Sequence, residues 1–196
     1  MPATIDNDLA ETDETIACDI VVTTAMSAND RIRDTALSYE RVFVVETMGR
    51  DRGFLALEVG FAAVAGIILV PEIDLDSVCE RFMCYEERGK ATTIIVVAEG
   101  IGDTTAVVKC IEKNTPFETR LTKLGYTQRG DSPTARSRSL ASLFGIHTVE
   151  LLLSGAKRSM VAIYGTAIVH RDLEEVTKKR KDLDEKLYEL AMEFAL

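Results

Sequence analysis

Short apolar, β-branched runs alternate along the chain with longer stretches of helical periodicity, the pattern of a parallel sheet covered by helices on its faces. Five runs read as strands, at 41–47, 66–70, 92–97, 119–124 and 160–164. Helices are predicted over 16–39, with Asn29-Asp30 as a candidate break, and over 53–65, 75–88, 104–113 and 133–154. Asp74 and Asp103 precede two of these as N-caps. From Asp172 onward the pattern is helical again, with Leu183, Leu187, Leu190 and Phe194 recurring on one face. With no Gly/Ser/Pro-rich linker and no internal repeat, the elements read as one continuous, doubly wound α/β unit.

Composition narrows the function classes. The 196 residues include 23 Lys and Arg against 32 Asp and Glu, a formal charge of −9, and 46% are hydrophobic. A chain of this size buries roughly 70% of its extended-chain surface around a core. Net acidity excludes nucleic acid as the expected partner, because neutralising phosphates takes a concentrated basic face. The longest apolar run, 61–70, falls far short of the roughly 20 residues of a spanning helix, so no membrane span is expected. The acidic N-terminus lacks secretory features, which makes the cytoplasm the expected compartment. Cys18, Cys79, Cys84 and Cys110 lack metal-ligand spacing and read as reduced thiols.

Open α/β sheets gather their chemistry beyond the carboxyl ends of the strands. Three such ends carry small residues beside charge: Met48-Gly49-Arg50, Ala98-Glu99-Gly100, and Gly125-Tyr126-Thr127-Gln128-Arg129-Gly130. Small residues admit a ligand close to the backbone, and guanidinium forks match phosphate oxygens. Arg41 and Arg120 stand instead at strand starts. Together the arginines of an acidic chain point to an anionic small molecule. Thr4-Ile5-Asp6-Asn7-Asp8 places a hydroxyl and two carboxylates on one loop, suited to orienting a substrate hydroxyl, taking its proton and holding magnesium. Neither GxxxxGK nor GxGxxG occurs.

The ordered set TIDND, ERVFVVETMGR, IIVVAEG, FETRLTKLGYTQRG and SPTA closely resembles the bacterial-type, ATP-dependent 6-phosphofructokinase family. The resemblance covers essentially the whole chain. It implies a three-layer, mainly parallel α/β fold, with a sugar-phosphate domain and part of a second domain. The activity implied is glycolytic phosphoryl transfer from ATP, with Mg2+, to the 1-hydroxyl of fructose 6-phosphate. On this resemblance Asp6 is the base, Thr4 contacts the phosphoryl group and substrate, Asp8 organises magnesium, and Arg50 stabilises the transferring phosphoryl group. Met48, Gly49 and Glu99 hold the sugar, and Tyr126, Thr127, Gln128 and Arg129 form the 6-phosphate loop. Arg41 and Arg120 match arginines that reach an adjacent subunit's site, while Arg33, Arg88 and Lys90 match effector positions.

Four positions depart from the family pattern. Tyr126 stands where His is usual, Asp131 where a second Gly follows QRG, and Gly66 where the effector site has an acid. Ala3 occupies a position that is Gly in ATP-using members and Lys in pyrophosphate-using ones, which disfavours pyrophosphate as donor. The family carries its glycine-rich ATP loops upstream of TIDND, so those loops are absent from this chain. The resemblance implies a catalytic-loop remnant at 1–17, the fructose 6-phosphate and effector domain at 18–129, a segment at 130–180 that returns to the nucleotide domain, and a C-terminal helix at 181–196 on the sugar domain. The apolar face of the returning segment is expected to lack its usual cover. Two functions follow as expectations: a truncated phosphofructokinase inactive alone, or a non-catalytic sugar-phosphate-binding or regulatory subunit. The partners implied are fructose 6-phosphate and a homo-oligomer, tetrameric in the family, or a complementary or full-length phosphofructokinase chain.

Overall fold

The computed structural model describes residues 1–39, 41–73 and 94–194. Its contacts divide the chain into two units, Met1–Val21 with Asp131–Asp182, and Val22–Gly130 with Leu183–Leu196, where the periodicity alone reads as one. The boundary falls inside the first helix, α1 (Cys18–Tyr39).

The unit Val22–Gly130 with Leu183–Leu196 is built on four parallel strands, β1 (Val42–Thr47), β2 (Ile67–Leu69), β3 (Ile94–Ala98) and β4 (Thr119–Lys123), in the order β2-β3-β1-β4. Its helices beyond α1 are α2 (Phe54–Ala62), α3 (Thr104–Asn114) and a C-terminal helix (Glu185–Phe194). β2 and β3 are apolar throughout, and β1 over its first four residues, because both of their faces are covered, while β4, TRLTK, is mostly polar and partly exposed. Val45, Ile68, Ile94 and Val96 face a core shared with Ala25, α2, Tyr188 and Ala191. Val42, Val44, Ile67, Leu69, Ile95 and Val97 face the opposite core with Val107 and Ile111 of α3. The result is the three-layer α/β arrangement that the sequence predicts.

In the other unit, α4 (Ala135–Leu153) packs on a hairpin of β5 (Ser159–Tyr164) and β6 (Ala167–Asp172), followed by α5 (Leu173–Lys178). Gly165, with φ +59°, takes the first place of the two-residue turn, as a type II′ hairpin requires. Val161, Ile163 and Ile168 pack with Leu140 and Phe144, while Met160, Ala162 and Val169 pack with Val176. Residues 1–17 are sewn to this hairpin. The amide of Ile163 donates to Thr12 Oγ1 at 3.2 Å, and its carbonyl accepts from the Asp13 amide at 2.9 Å. Leu143, Ile146, Val149, Leu152 and Leu153 recur every three or four residues along α4 and are all exposed, Leu153 by 83%. These residues form an exposed apolar stripe along α4.

Several elements differ from their sequence expectation. α1 runs unbroken through Asn29, which is buried and returns its side-chain amide to the Ala25 carbonyl at 2.8 Å, so the residue that favours turns is satisfied inside the helix. β6 is a strand that the pattern does not predict. The C-terminal helical stretch is two helices, with Asp172 capping the first by accepting from the amides of Glu174 and Glu175. The last helix buries Tyr188 and Ala191 and leaves Leu190 and Phe194 exposed. Asp103 caps α3 as expected. The expected helix at 75–88 and its cap Asp74 lie outside the described residues. Cys18 is a buried thiol outside any disulfide, whereas Cys110 is disulfide-bonded, against the expectation of reduced cysteines throughout. No described helix is long and apolar enough to cross a membrane.

Candidate functional site

β1 and β3 are neighbours, yet β1 is followed by α2 on one face of the sheet and β3 by α3 on the other. Such a reversal opens a crevice at the carboxyl ends of the two strands, and the chain concentrates its small and charged residues there. Gly49 has φ +141° and Arg50 φ +52°, so the exit of β1 holds a conformation costly for a non-glycine residue. Side chains from the neighbouring strand exits fasten it. Glu99, directly after β3, accepts from the amides of Gly49 at 3.0 Å and Arg50 at 2.7 Å through one oxygen, Oε1. Gln128, in the short 3-10 helix Gly125–Arg129 after β4, accepts from the Met48 amide at 2.8 Å. Three consecutive amides are therefore taken up by side chains from β3 and β4.

Gly100 packs so close that an added Cβ would lie 2.5 Å from the Arg50 carbonyl oxygen. Below the crevice, Glu46 on β1 pairs with Lys123 at 2.7 Å and accepts from Thr104 at the start of α3. These bonds tie three of the four strand exits into one rim.

Arg129 projects from the 3-10 turn with its guanidinium 5.1 Å from the centre of the Tyr126 ring. Both are exposed, Tyr126 by 79%, and Arg129 forms no ion pair with a described residue. Thr127 is exposed beside them and turns its hydroxyl to the Leu124 carbonyl. Gln128, in the same turn, is wholly buried.

The strand starts carry a second arginine cluster. Glu118 binds both Arg41, at 2.5 Å, and Arg120, and Arg41 also lies over the Tyr39 ring. β1 and β4 are parallel, so these two arginines stand at the edge of the sheet opposite to Arg50 and Arg129. Arg33 on α1 donates to the carbonyls of Ala63 and Val64 at the end of α2. Arg88 and Lys90 lie outside the described residues.

In the other unit, the Thr4–Asp8 loop is braced from several sides. The Asp6 amide donates to Thr4 Oγ1 at 3.2 Å, and the Thr15 hydroxyl donates to the Thr4 carbonyl at 2.6 Å. Lys181 donates to the carbonyls of Asn7 and Asp13 at 3.0 and 3.1 Å. Asp6 is 4% exposed. Asn7 has φ +51° and turns its amide nitrogen to the Asp13 carbonyl, leaving Oδ1 buried with no partner. Among the described residues no three His, Cys, Asp or Glu side chains form a metal cluster. Two carboxylates and an unsatisfied amide oxygen are nonetheless hard oxygen donors of the kind magnesium takes, since it completes its shell with water and phosphate. A pocket of ≈ 290 Å³ in this unit, lined by His147, Glu150, Ser154 and His170 among others, contains none of the residues singled out in the sequence.

Residues 1–152 match the family model for phosphofructokinase. The chain belongs to the phosphofructokinase family. It is 47% identical over 193 residues to the ATP-dependent 6-phosphofructokinase of Brevibacillus brevis, covering 97% of this chain and 60% of that protein. It is 44% identical over 198 residues to that of Bacillus pumilus, covering all of this chain and 62% of the relative. The chain thus spans about three fifths of the length of the curated relatives it matches.

Among solved structures it resembles phosphofructokinase from Saccharomyces cerevisiae, with a TM-score of 0.83, 33% identity, and coverage of 98% of this chain and 27% of that one. It also resembles a pyrophosphate-dependent phosphofructokinase from Marinobacter aquaeolei, with a TM-score of 0.78, 25% identity, and coverage of 94% and 53%.

The motif order TIDND, ERVFVVETMGR and GYTQRG is what makes the family legible, but several supports are not. Lys181 lies in no motif, and Glu46 and Glu118 lie inside motifs whose spacing does not reveal what they bind. They are surface-type charges in the sequence, and only the fold brings them to backbone carbonyls or to a neighbouring strand.

Proposed function

We propose that the chain carries the sugar-phosphate-binding and proton-accepting residues of the ATP-dependent 6-phosphofructokinase reaction. The observation that carries this reading is the rim at the β1, β3 and β4 exits, where Arg129, in no ion pair with a described residue, stands beside a backbone loop held by Glu99 and Gln128. A phosphate dianion finds there a guanidinium with free donors. Met48, Gly49 and Glu99 supply contacts to the sugar, and Tyr126, Thr127 and Arg129 the grip on the 6-phosphate.

In this reading Asp6 accepts the proton of the 1-hydroxyl as its oxygen bonds to the γ-phosphorus of ATP, and the bond from that phosphorus to ADP breaks. Thr4 contacts the phosphoryl group, Arg50 offsets its developing charge, and Asp8 with its loop holds Mg2+, which would neutralise phosphate oxygens. Phosphoryl transfer asks for positioning and charge stabilisation above all. Arg41 and Arg120, at the far edge of the sheet, fit service to a neighbouring copy in a homo-oligomer. Arg33, with Arg88 and Lys90, belongs to an effector site. A soluble sugar phosphate and ATP place the work in the cytoplasm.

Calorimetric titration with fructose 6-phosphate tests the binding half of the proposal, with fructose and inorganic phosphate as controls. Saturable binding tighter than either control is expected; equal or no binding rejects it. The isolated chain with MgATP is expected to form no fructose 1,6-bisphosphate. The exposed stripe on α4 favours a second reading, a non-catalytic subunit that associates with full-length phosphofructokinase. Co-expression followed by size-exclusion chromatography separates the two.

A further inference from the structure

We propose that Gln128 is a positioning residue for sugar-phosphate binding, acting through the backbone of Met48-Gly49-Arg50 and not by touching the ligand. This rests on the binding reading above and names the device that sets the site's geometry. Its neighbours Tyr126, Thr127 and Arg129 are exposed, but Gln128 has no exposed surface. A buried side chain cannot take part in a phosphate grip that its exposed neighbours form.

The orientation of its amide is fixed chemically. The Met48 N–H is a donor, so the atom 2.8 Å away from it must be the carbonyl oxygen. The Nε2 group then points elsewhere, buried and with no hydrogen-bond partner. An unpaired buried amide is costly, and an apolar side chain of the same shape would avoid that cost. What the glutamine adds over such a side chain is the bond to Met48. That bond joins residues 80 apart in sequence, on the exits of adjacent parallel strands β1 and β4.

Its effect is to register two loops. Arg129 follows Gln128 directly, and Gly49 and Arg50 follow Met48 directly. One side-chain bond therefore fixes the spacing between the guanidinium of the β4 exit and the strained, left-handed backbone of the β1 exit. Glu99 performs the matching service from the β3 side. Removing the glutamine pin leaves Met48 with an unpaired amide and lets the two exits drift.

The test compares wild type with Gln128→Met, which keeps the volume and removes both the acceptor and the orphan donor. Fructose 6-phosphate and inorganic phosphate are titrated calorimetrically into each. Positioning predicts a roughly tenfold rise in Kd for the sugar phosphate, with stoichiometry unchanged and inorganic phosphate affected less than threefold. It also predicts that Arg129→Ala costs less in the Q128M background than in wild type, because the pair acts as one unit. A purely structural role predicts the reverse: fewer competent molecules, an unchanged Kd and additive costs, and that result overturns the proposal.

If Q128M does not fold, the wild type still decides by NMR. Saturating fructose 6-phosphate is expected to shift the Met48 amide and the Gln128 side-chain amide, and their immobility overturns the proposal. Absence of wild-type binding rejects the binding reading itself and this inference with it, a result distinct from binding that survives unchanged in Q128M.

Discussion

One carboxylate oxygen of Glu99 lies 3.0 Å from the Gly49 amide and 2.7 Å from the Arg50 amide, so the residue that closes β3 sets the backbone that leaves β1. A bond to a charged acceptor contributes about 1.5–3 kcal/mol, less where water competes. Glu99→Ala is expected to lower stability by about 1–2 kcal/mol in urea unfolding and to broaden the Gly49 and Arg50 amide resonances. Glu99→Gln keeps an oxygen acceptor and should lose less than half as much.

Two glycine substitutions are expected to have opposite signs. An alanine at Gly100 would place its Cβ 2.5 Å from the Arg50 carbonyl oxygen, a backbone atom that cannot turn aside. Gly100→Ala should therefore destabilise by about 1–3 kcal/mol and weaken fructose 6-phosphate binding. Gly145, inside α4, has nothing within 4 Å of its ideal Cβ, so Gly145→Ala should stabilise by about 0.5–1 kcal/mol. Thermal unfolding of the two variants beside wild type checks both signs.

The Glu11–Lys179 pair makes stability depend on pH at both ends. The hydrogen bond and charge of Lys179, helped by Arg171, hold the Glu11 carboxyl below its ordinary 4.5. Its contribution is present above the unfolded value and is lost as pH falls through the lowered folded one. Glu11 in turn holds the Lys179 ammonium above its ordinary 10.5. That contribution is present below the unfolded value and is lost as pH rises through the raised one. The gap in melting temperature between wild type and Glu11→Gln should be constant near neutrality, shrink below pH 4.5, and shrink again above 10.5. A gap that widens in acid contradicts the assignment.

In the proposed site, Arg129 and its platform are expected to divide the phosphate affinity unequally. Charge-assisted bonds to phosphate are the larger share, so Arg129→Ala should weaken fructose 6-phosphate binding by roughly 10- to 100-fold. Stacking on an exposed ring is worth about 0.5–1 kcal/mol, and Tyr126→Ala should cost only two- to fivefold. Asp131 accepts from the Ser132 amide at 2.6 Å within its own loop, yet it adds a negative charge two residues from Arg129. Asp131→Gly is expected to tighten binding of the sugar phosphate; unchanged affinity in calorimetry counts against that.

The parts legible in the sequence are those where periodicity and burial coincide. β1, β2 and β3 follow from β-branched runs, because residues covered on both faces leave few polar positions to blur the pattern, whereas β4 is a mixed, mostly polar run, TRLTK. β6 escapes for the opposite reason. Its sequence, AIVHRD, is half polar and half exposed, and its pairing with β5 is set by the Gly165 turn. The last helix is recognisable, but its buried face is not. Leucine at 190 and phenylalanine at 194 promise burial, while the core takes Tyr188, whose hydroxyl reaches the Ile68 carbonyl at 3.1 Å. Within the site, Arg129 and Glu99 are legible as charges at strand ends. What Glu99 and Gln128 bind is not, since backbone amides 50 and 80 residues away leave no trace in local spacing.

Glu118 gives the strand starts a property that counting arginines would miss. Two guanidiniums on adjacent strands repel each other, and the shared carboxylate is a placeholder anion that lets both stay in register. Glu118 and Arg120 are exposed and Arg41 is only half-buried, so the arrangement is worth no more than about 1 kcal/mol. The far edge of the sheet is therefore held together by a single carboxylate shared between two strands, so that removing Glu118 would set two like charges side by side.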